Sequence, residues 1–176
     1  MSSLPDPAAP PRKRCFDAVV DTRTRLLILG SLPGERSLAL QEYYGNKQNK
    51  FWTLMGEVTG VPLVPLSYAE RLATLLAHGI GLWDVVAEAH RPGSLDSNIR
   101  ARDDNDVPDL LARYPGIGAI AFNGGTAARL GIRVLGPRAG SYRLFELPSS
   151  SPAYTLAYAE KRARWLALRA ALDHLA

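Results

Sequence analysis

The residues best suited to chemistry lie in a polar stretch, GSLPGERSLALQEYYGNKQNKFW, at residues 30–52. It follows the apolar run Leu26–Leu29 and contains a proline bracketed by glycines, two adjacent tyrosines, and Asn49 just before Phe51 and a tryptophan. Glycines let a ligand approach the backbone closely, and Pro33 stiffens the turn. An amide side chain can donate to a ring acceptor and also accept from water. Core packing does not require this mixture, whereas a site for a flat polar ring does.

Three further polar segments follow apolar, strand-like runs. The second run leads to Asp84 and a Ser/Asp/Asn loop, the third ends in AFNGG with Asn123, and the fourth continues into LPSSSPAY. Serine hydroxyls and backbone N–H groups commonly bind phosphates, so Ser149–Ser151 could form a phosphate-contacting loop. Each segment also has a structural interpretation: a β-to-α turn at Gly30–Gly34, a cap at Asp84, a turn at Asn123, and a plain loop at the serines.

The elements that position these segments alternate between strands and helices. The candidate strands are Arg25–Gly30, Gly81–Val86, Ile117–Phe122 and Tyr142–Leu147. The candidate helices are Phe51–Val58, Tyr68–Ala77, Val107–Tyr114 and an amphipathic segment, Leu156–Leu175. This alternation predicts an α/β three-layer sandwich with a short, mostly parallel four-stranded sheet and helices on both faces. Because ligands bind at the carboxyl ends of such strands, the four polar segments should meet at one edge.

Several local signals support these boundaries. Ser67 and Asp106 lie where helix N-caps belong, and Gly79 lies just past a helix end. In the last helix, Trp165, Leu168, Leu172 and Leu175 recur at three- and four-residue steps. Its basic residues, interpreted as a solvated face, are Lys161, Arg162, Arg164 and Arg169. Residues 1–14, rich in proline and alanine, are expected to form a flexible arm, and residues 15–176 a single domain.

Composition excludes several classes of function. The 176 residues are 47% hydrophobic and 22% charged, with a net charge of +4, which suits a soluble domain with a polyanionic partner. The single cysteine excludes an internal disulfide or a multi-thiolate cluster, and the three scattered histidines argue against a metal site. Neither a membrane span nor a secretion signal is recognisable. We therefore expect a cytoplasmic monomer without cofactor, metal or iron–sulfur cluster.

The segments together resemble the uracil-DNA glycosylase superfamily, and in particular its hypoxanthine-DNA (deoxyinosine) glycosylase branch. The resemblance begins near Phe16, spans nearly the whole remaining chain, and is carried by VVDTRTRLLILGSLPGERS, YYGNKQNKFW, GIGLWDVV, GSLDSNI, FNG and LPSSSPAY. It implies base removal from DNA containing deaminated bases, leaving an abasic site. Uracil- and mismatch-removing relatives keep an Asp or Asn in the first motif, and GSLPG has neither. The cluster-bearing branches need four cysteines.

The resemblance also implies roles for individual residues. By motif position, Asn49 supplies the catalytic amide, Tyr44 or Tyr43 stacks on the base together with Phe51, and Asn123 reads the base edge. Lys47 and Lys50 flank the catalytic amide and could face DNA. The residues of the implied base pocket are Gly30, Ser31, Pro33, Gly34, Tyr44, Phe51 and Asn123, with Asp84 as an additional candidate. The residues implied to grip phosphates and wedge the duplex are Ser149, Ser150, Ser151 and Pro152.

Three other functions remain compatible with the sequence. The enzyme could excise uracil or xanthine in place of hypoxanthine. The same scaffold could bind nucleic acid without catalysis, in which case binding would depend strongly on salt but no abasic product would form. It could also hydrolyse a free nucleoside or nucleotide.

Overall fold

The computed structural model describes residues 12–175. The strands are β1 (Lys13–Arg14), β2 (Leu26–Gly30), β3 (Ile80–Asp84), β4 (Val86–His90), β5 (Arg100–Asp104), β6 (Ala119–Asn123) and β7 (Arg143–Leu147). The helices are α1 (Glu35–Leu40), α2 (Phe51–Thr59), α3 (Tyr68–Ala77), α4 (Val107–Arg113), α5 (Gly125–Leu135), α6 (Tyr158–Trp165) and α7 (Ala167–Leu175). Two 3₁₀ turns, Asp96–Asn98 and Gly136–Ser141, complete the described part of the chain.

The centre of the molecule is a four-stranded sheet in the order β3-β2-β6-β7, and all three strand pairs are parallel. Alternate side chains of β2 enter two separate cores, because successive residues of a strand point to opposite faces. Leu26 and Ile28 pack with helices α2, α3, α6 and α7, whereas Leu27 and Leu29 pack with α4 and α5. The predicted three-layer α/β sandwich is confirmed.

The predicted helix boundaries at two N-caps are also confirmed. The Ser67 hydroxyl accepts a hydrogen bond from the Glu70 N–H at 3.2 Å, and the Asp106 carboxylate accepts one from the Asp109 N–H at 3.0 Å. Each bond satisfies one of the N–H groups that the first turn of a helix leaves without a partner. Gly79 lies just past the end of α3 with φ of +75°.

A second, three-stranded antiparallel sheet, in the order β1-β4-β5, is absent from the sequence prediction. The strand predicted at Gly81–Val86 ends at Asp84 in the structure, and the chain continues into β4. The β5 sequence, RARDD, has weak β-propensity and is mostly exposed. Pairing with β4 orders this strand, so tertiary contact overrides local preference here.

Residues 12–14, which the sequence analysis assigned to a flexible arm, belong to the folded structure. Residues 1–11 lie outside the described residues, but residues 12–14 are held in the second sheet by β1, which pairs with β4. Arg12 also donates to the carbonyl oxygen of Ala101 at 2.7 Å and forms an ion pair with Asp103 at 2.9 Å. These contacts cross from the terminus to β5, which sequence patterns do not reveal.

The C-terminal segment predicted as one helix is divided into α6 and α7 around Leu166. Its apolar stripe is correct, since Trp165, Leu168 and Leu172 are all buried. The interpretation of its basic residues as a solvated face is wrong for Lys161, whose side chain is buried. Within residues 12–175, no helix has both the length and the apolar character that a membrane crossing requires.

Packing of α5 against β6 gives a direct test of this fold. A Cβ atom added at Gly131 would lie 2.4 Å from Cε1 of the buried Phe122 ring, whereas one added at Gly125 in the same helix meets nothing within 4 Å. We expect Gly131→Ala to lower the free energy of unfolding by about 1–3 kcal/mol. Gly125→Ala should leave it unchanged or raise it by up to about 1 kcal/mol. Urea denaturation of both variants measures the difference, and equal stabilities would contradict the packing described.

Candidate functional site

The polar segments predicted to converge do meet, at a cleft of about 830 Å³ along the carboxyl edge of the parallel sheet. Its walls come from the turn after β2, the loop before α2, the end of β3, the start of α5 and the loop after β7. The predicted site residues that line it are Gly30, Ser31, Pro33, Gly34, Tyr44, Asn49, Asp84, Asn123, Ser149, Ser150, Ser151 and Pro152. Only Phe51 of the predicted set is absent from the lining.

The loop after β7 is fixed by a two-point clasp. Asn123 donates from Nδ2 to the Ser150 hydroxyl and accepts the Ser150 N–H at Oδ1, both at 2.9 Å. Ser150 is almost fully buried, so its hydroxyl is not presented to a phosphate as the sequence suggested. Asn123 also forms a side-chain hydrogen bond with the Tyr44 hydroxyl, which opposes the raised pKa of that hydroxyl. In this structure, the Asn123 side chain fixes the position of the serine loop.

Two further bonds connect the same loop to distant parts of the chain. The carbonyl oxygen of Ser150 accepts the Lys50 N–H at 3.0 Å, which connects the loop to the segment that carries Asn49. Lys161 donates from Nζ to the Ser151 carbonyl at 3.1 Å. Burial lowers the pKa of the Lys161 ammonium. A lone lysine within a basic helix gives no sequence signal for this role.

Gly30 lies at the floor of the cleft. Two polar side chains occupy the space that a larger residue at this position would need. A Cβ atom at this position would lie 2.6 Å from Asp84 Oδ1 and 2.9 Å from the Tyr44 hydroxyl oxygen. Both oxygens therefore converge above the Gly30 backbone. The glycine is required here for space, since its φ lies outside the left-handed region.

Asp84 is buried, and its Oδ2 atom has no hydrogen-bond partner within the described residues. Burial, and secondarily the Asp96 carboxylate, raise the pKa of the Asp84 carboxyl to about 7, while the Arg91 guanidinium opposes them. A group with this pKa changes protonation near neutral pH, as residues at functional sites often do. The alternative role of a helix cap does not apply, because Asp84 ends a strand.

The turn after β2 is braced from below by Arg91, which is only 3% exposed. Its guanidinium donates to the carbonyl oxygens of Leu32, at 3.2 Å, and Pro33. Asp96 lies 3.6 Å from the same guanidinium and accepts the Ser31 hydroxyl at 2.6 Å. The polar loop that contains Asp96 was expected at this rim, but Arg91 was not, since a single arginine after a strand usually lies on the surface.

The two tyrosines have different positions. Tyr43 is buried, and its hydroxyl donates to the Asp17 carbonyl at 2.9 Å, away from the cleft floor. Tyr44 stacks on Phe51 with ring centroids 3.8 Å apart, and it adopts a left-handed φ of 54°. Phe51 thus supports Tyr44 from behind and does not wall the cleft itself, contrary to the sequence expectation, because the Tyr44 ring covers its face. Burial and the Asp84 charge raise the pKa of the Tyr44 hydroxyl, which keeps it protonated.

Asn49 lies at the entrance to α2, half-buried and facing the cleft. Its Oδ1 atom accepts the Phe51 N–H at 3.0 Å, so the side chain caps the start of the helix. Among the described residues, no hydrogen bond occupies its Nδ2 amino group. The arrangement can therefore present an amide donor to a ligand while the carbonyl end is fixed.

Residues that sequence reasoning did not select also line the cleft. Arg36 and Arg129 are exposed at its rim, and Gly124, Gly125 and Thr126 form the start of α5 beside the serine loop. Within residues 12–175, no group of three or more His, Cys, Asp or Glu side chains is arranged to hold a metal ion. The chemistry available from the chain itself is that of amides, hydroxyls, one buried carboxyl and basic rim groups.

Comparisons with known proteins agree on one family. Residues 17–175 match the family model of the uracil DNA glycosylase superfamily. A Methanosarcina acetivorans protein named hypoxanthine DNA glycosylase is 40% identical over 156 residues, which are 89% of this chain and 97% of that protein. A Methanosarcina barkeri protein of the same name is 39% identical over 113 residues, or 64% of this chain and 72% of its own. A solution NMR structure from Methanosarcina acetivorans, provisionally named a uracil DNA glycosylase, has a TM-score of 0.82 at 40% identity and covers 93% of this chain and 99% of its own.

The buried carboxyl generates a pH-dependent stability that can be measured without any ligand. The folded state retains the Asp84 proton up to about pH 7, whereas an unfolded aspartate loses it near about pH 4. The folded state therefore binds more protons between these values, and the contribution of this group to the free energy of unfolding falls as pH rises. Relative to the wild type, Asp84→Asn should gain stability from pH 4 to 7 and show no further gain above that range.

Urea denaturation of the wild type and Asp84→Asn across this pH range tests the prediction. Asp109→Asn, which removes an exposed carboxylate from α4, is the matched control and should show no such gain. A stability difference between Asp84→Asn and the wild type that stays constant with pH would mean that the carboxyl remains ionised in the fold.

Proposed function

This chain belongs to the uracil DNA glycosylase superfamily, and from that premise we propose that it removes a deaminated base, hypoxanthine in particular, from DNA. The product is an abasic site, and no covalent intermediate with a lysine is needed. The curated relatives named above support hypoxanthine as the base. The GSLPG turn also supports it, because the carboxylate or amide that uracil-removing relatives keep there is missing.

The observation that carries this proposal is the convergence of Gly30, Tyr44, Asn49, Asp84 and Asn123 in one deep cleft. An enzyme that acts on a base must extrude it from the stack, at a cost of about a few kcal/mol. A cleft with an aromatic wall and polar groups at its floor offsets that cost by stacking and hydrogen bonding. Tyr44, fixed by Phe51, provides the stacking surface.

Cleavage of the bond between base and sugar develops positive charge on the sugar and negative charge on the departing base. We assign Asn49 to stabilise that negative charge, because its Oδ1 is fixed by the Phe51 N–H and its amino group is available as a donor. A preorganised donor of this kind contributes about 3–4 kcal/mol to transition-state stabilisation.

The basic rim and the serine loop suit the DNA backbone. Arg36 and Arg129 are exposed beside the cleft, and Lys47 and Lys50 are exposed on the loop that carries Asn49. Because the Ser150 hydroxyl is occupied by Asn123, we assign phosphate contacts to Ser149, Ser151 and the neighbouring backbone, with the exposed Pro152 against the duplex. We further propose that the enzyme acts as a monomer in the cytoplasm, where it would meet its DNA substrate.

An excision assay on duplex oligonucleotides tests the function directly. The substrates carry hypoxanthine, uracil, xanthine or mismatched thymine in the same sequence context, and free inosine is a parallel substrate. We expect alkali-labile abasic sites to form fastest from hypoxanthine, with little hydrolysis of the free nucleoside. Salt-dependent DNA binding without abasic product from any substrate would identify a binding module instead.

The role of Asn49 can be separated from its contribution to folding. Asn49→Ala removes both the cap on α2 and the free donor, whereas Asn49→Asp keeps the acceptor for the Phe51 N–H but replaces the donor by a negatively charged oxygen. Both variants should slow single-turnover release of hypoxanthine by about 100- to 1000-fold. Asn49→Asp should retain wild-type thermal unfolding.

Asn98→Asp is the matched control, since it makes the same change at a residue outside the cleft lining. It should release hypoxanthine at the wild-type rate. A folded Asn49→Asp variant with undiminished single-turnover activity would exclude the amide donor from catalysis.

A further inference from the structure

The floor of the cleft holds a carboxyl group that the mechanism above does not use. Asp84 Oδ1 and the Tyr44 hydroxyl both point into the space above Gly30, where a Cβ atom would lie within 3 Å of each. The register of the sheet fixes this geometry, because Asp84 is paired directly with Gly30 in the parallel ladder between β3 and β2. The carboxyl is therefore held at a defined point of the ligand space.

Within the described residues, no hydrogen bond of the fold involves the Asp84 side chain. The backbone carbonyl of Asp84 is satisfied by the Asn105 side chain at 2.7 Å, and the side chain itself has an Oδ2 atom without a partner in the described residues. The nearby guanidinium of Arg91 is already bonded to three backbone carbonyls and faces Asp96. A buried carboxyl without a dedicated cation is costly, and a ligand that donates to it would relieve that cost.

The titratable and charged groups that face Asp84 come from three sides. Arg91 and Asp96 lie in the segment after β4, Tyr43 and Tyr44 precede α2, and Cys15 follows β1. Burial raises the pKa of both tyrosine hydroxyls and of the thiol, so these three groups are neutral near pH 7. They can act as hydrogen-bond donors or dipoles, but they do not neutralise a carboxylate.

Hydrolytic deamination changes a base in a way that suits such an acceptor. It replaces an exocyclic amine by a carbonyl, and the adjacent ring nitrogen changes from a bare acceptor into an N–H donor. Adenine therefore presents a lone pair at N1 where hypoxanthine presents a hydrogen. A carboxylate accepts a hydrogen bond from the N1–H of hypoxanthine and is repelled by the N1 lone pair of adenine. A buried carboxylate that faces the N1 lone pair of adenine is left without a hydrogen bond, so the site rejects adenine strongly.

We propose that Asp84 is a specificity-determining residue, whose carboxylate accepts the ring N–H that deamination creates and so separates hypoxanthine from adenine. This inference rests on the function proposed above. Tyr44, which supplies the stacking surface, would hold the plane of the base beside this acceptor.

A consequence follows for pH. Only the ionised carboxyl can accept the N–H, and the pKa of Asp84 is raised to about 7, so selectivity should increase as pH rises from 6 to 8. The protonated carboxyl can instead donate to the bare nitrogen of an unaltered ring. Lower pH should therefore weaken discrimination as well as slow the removal of hypoxanthine.

The experiment compares single-turnover excision from duplexes that carry hypoxanthine or unsubstituted purine, which has the bare N1 and no exocyclic group. The wild-type preference for hypoxanthine should rise between pH 6 and 8. Asp84→Asn should reduce this preference by about 10-fold or more and remove its pH dependence. Asp109→Asn, on the exposed face of α4, should match the wild type in both respects.

The outcomes separate this inference from the proposed function. The wild type could release hypoxanthine with a preference over purine that does not change with pH, or folded Asp84→Asn could show the same preference as the wild type. Either result overturns the role of Asp84 and leaves the proposed function standing. Release of no deaminated base by the wild type overturns both. Because the pH dependence is read in the wild type, the test holds even if Asp84→Asn does not fold.

Discussion

The clasp between Asn123 and Ser150 is the interaction on which the cleft depends. Two hydrogen bonds at 2.9 Å join the end of β6 to the loop after β7, and the carbonyl of Ser150 then accepts the Lys50 N–H. Three segments separated by up to 100 positions in the chain are thus fixed around one buried serine. Asn123 ends strand β6 of the central sheet, so the sheet fixes the position of these cleft walls.

The opposite wall is fixed by different chemistry. The Gly30–Gly34 turn has few side-chain contacts of its own, and the buried Arg91 holds it by its carbonyl oxygens. Because a guanidinium presents several donors in one plane, a single side chain can bind two successive carbonyls and still face Asp96. This wall is therefore polar and desolvated, whereas the tyrosine wall is held by aromatic stacking. A flat polar ligand needs both kinds of surface.

The sequence was sufficient for the central sheet, because Leu26–Leu29 and the other buried strands are short apolar runs between turn residues. It was also sufficient for the gathering of the polar segments, since parallel strands place their carboxyl ends at one edge. It was insufficient where pairing partners are distant, as for β5, whose polar sequence is ordered only by β4. It also failed for Arg91 and Lys161, because the burial of a charged side chain depends on neighbours that local patterns do not specify.

The two halves of the cleft differ in how completely their polar groups are satisfied, and this difference points to where the ligand binds. At the serine loop, each amide and carbonyl described above has a partner within the protein, so that side is already complete without a ligand. At the floor, Asp84 Oδ2 has no partner within the described residues, and Asp84 Oδ1 occupies the space beside Gly30 at the lining of the cleft. A native fold tolerates such a group only where neighbouring structure fixes it, which here the sheet register does. In the function proposed here, the satisfied half would position the substrate and the unsatisfied half would distinguish it.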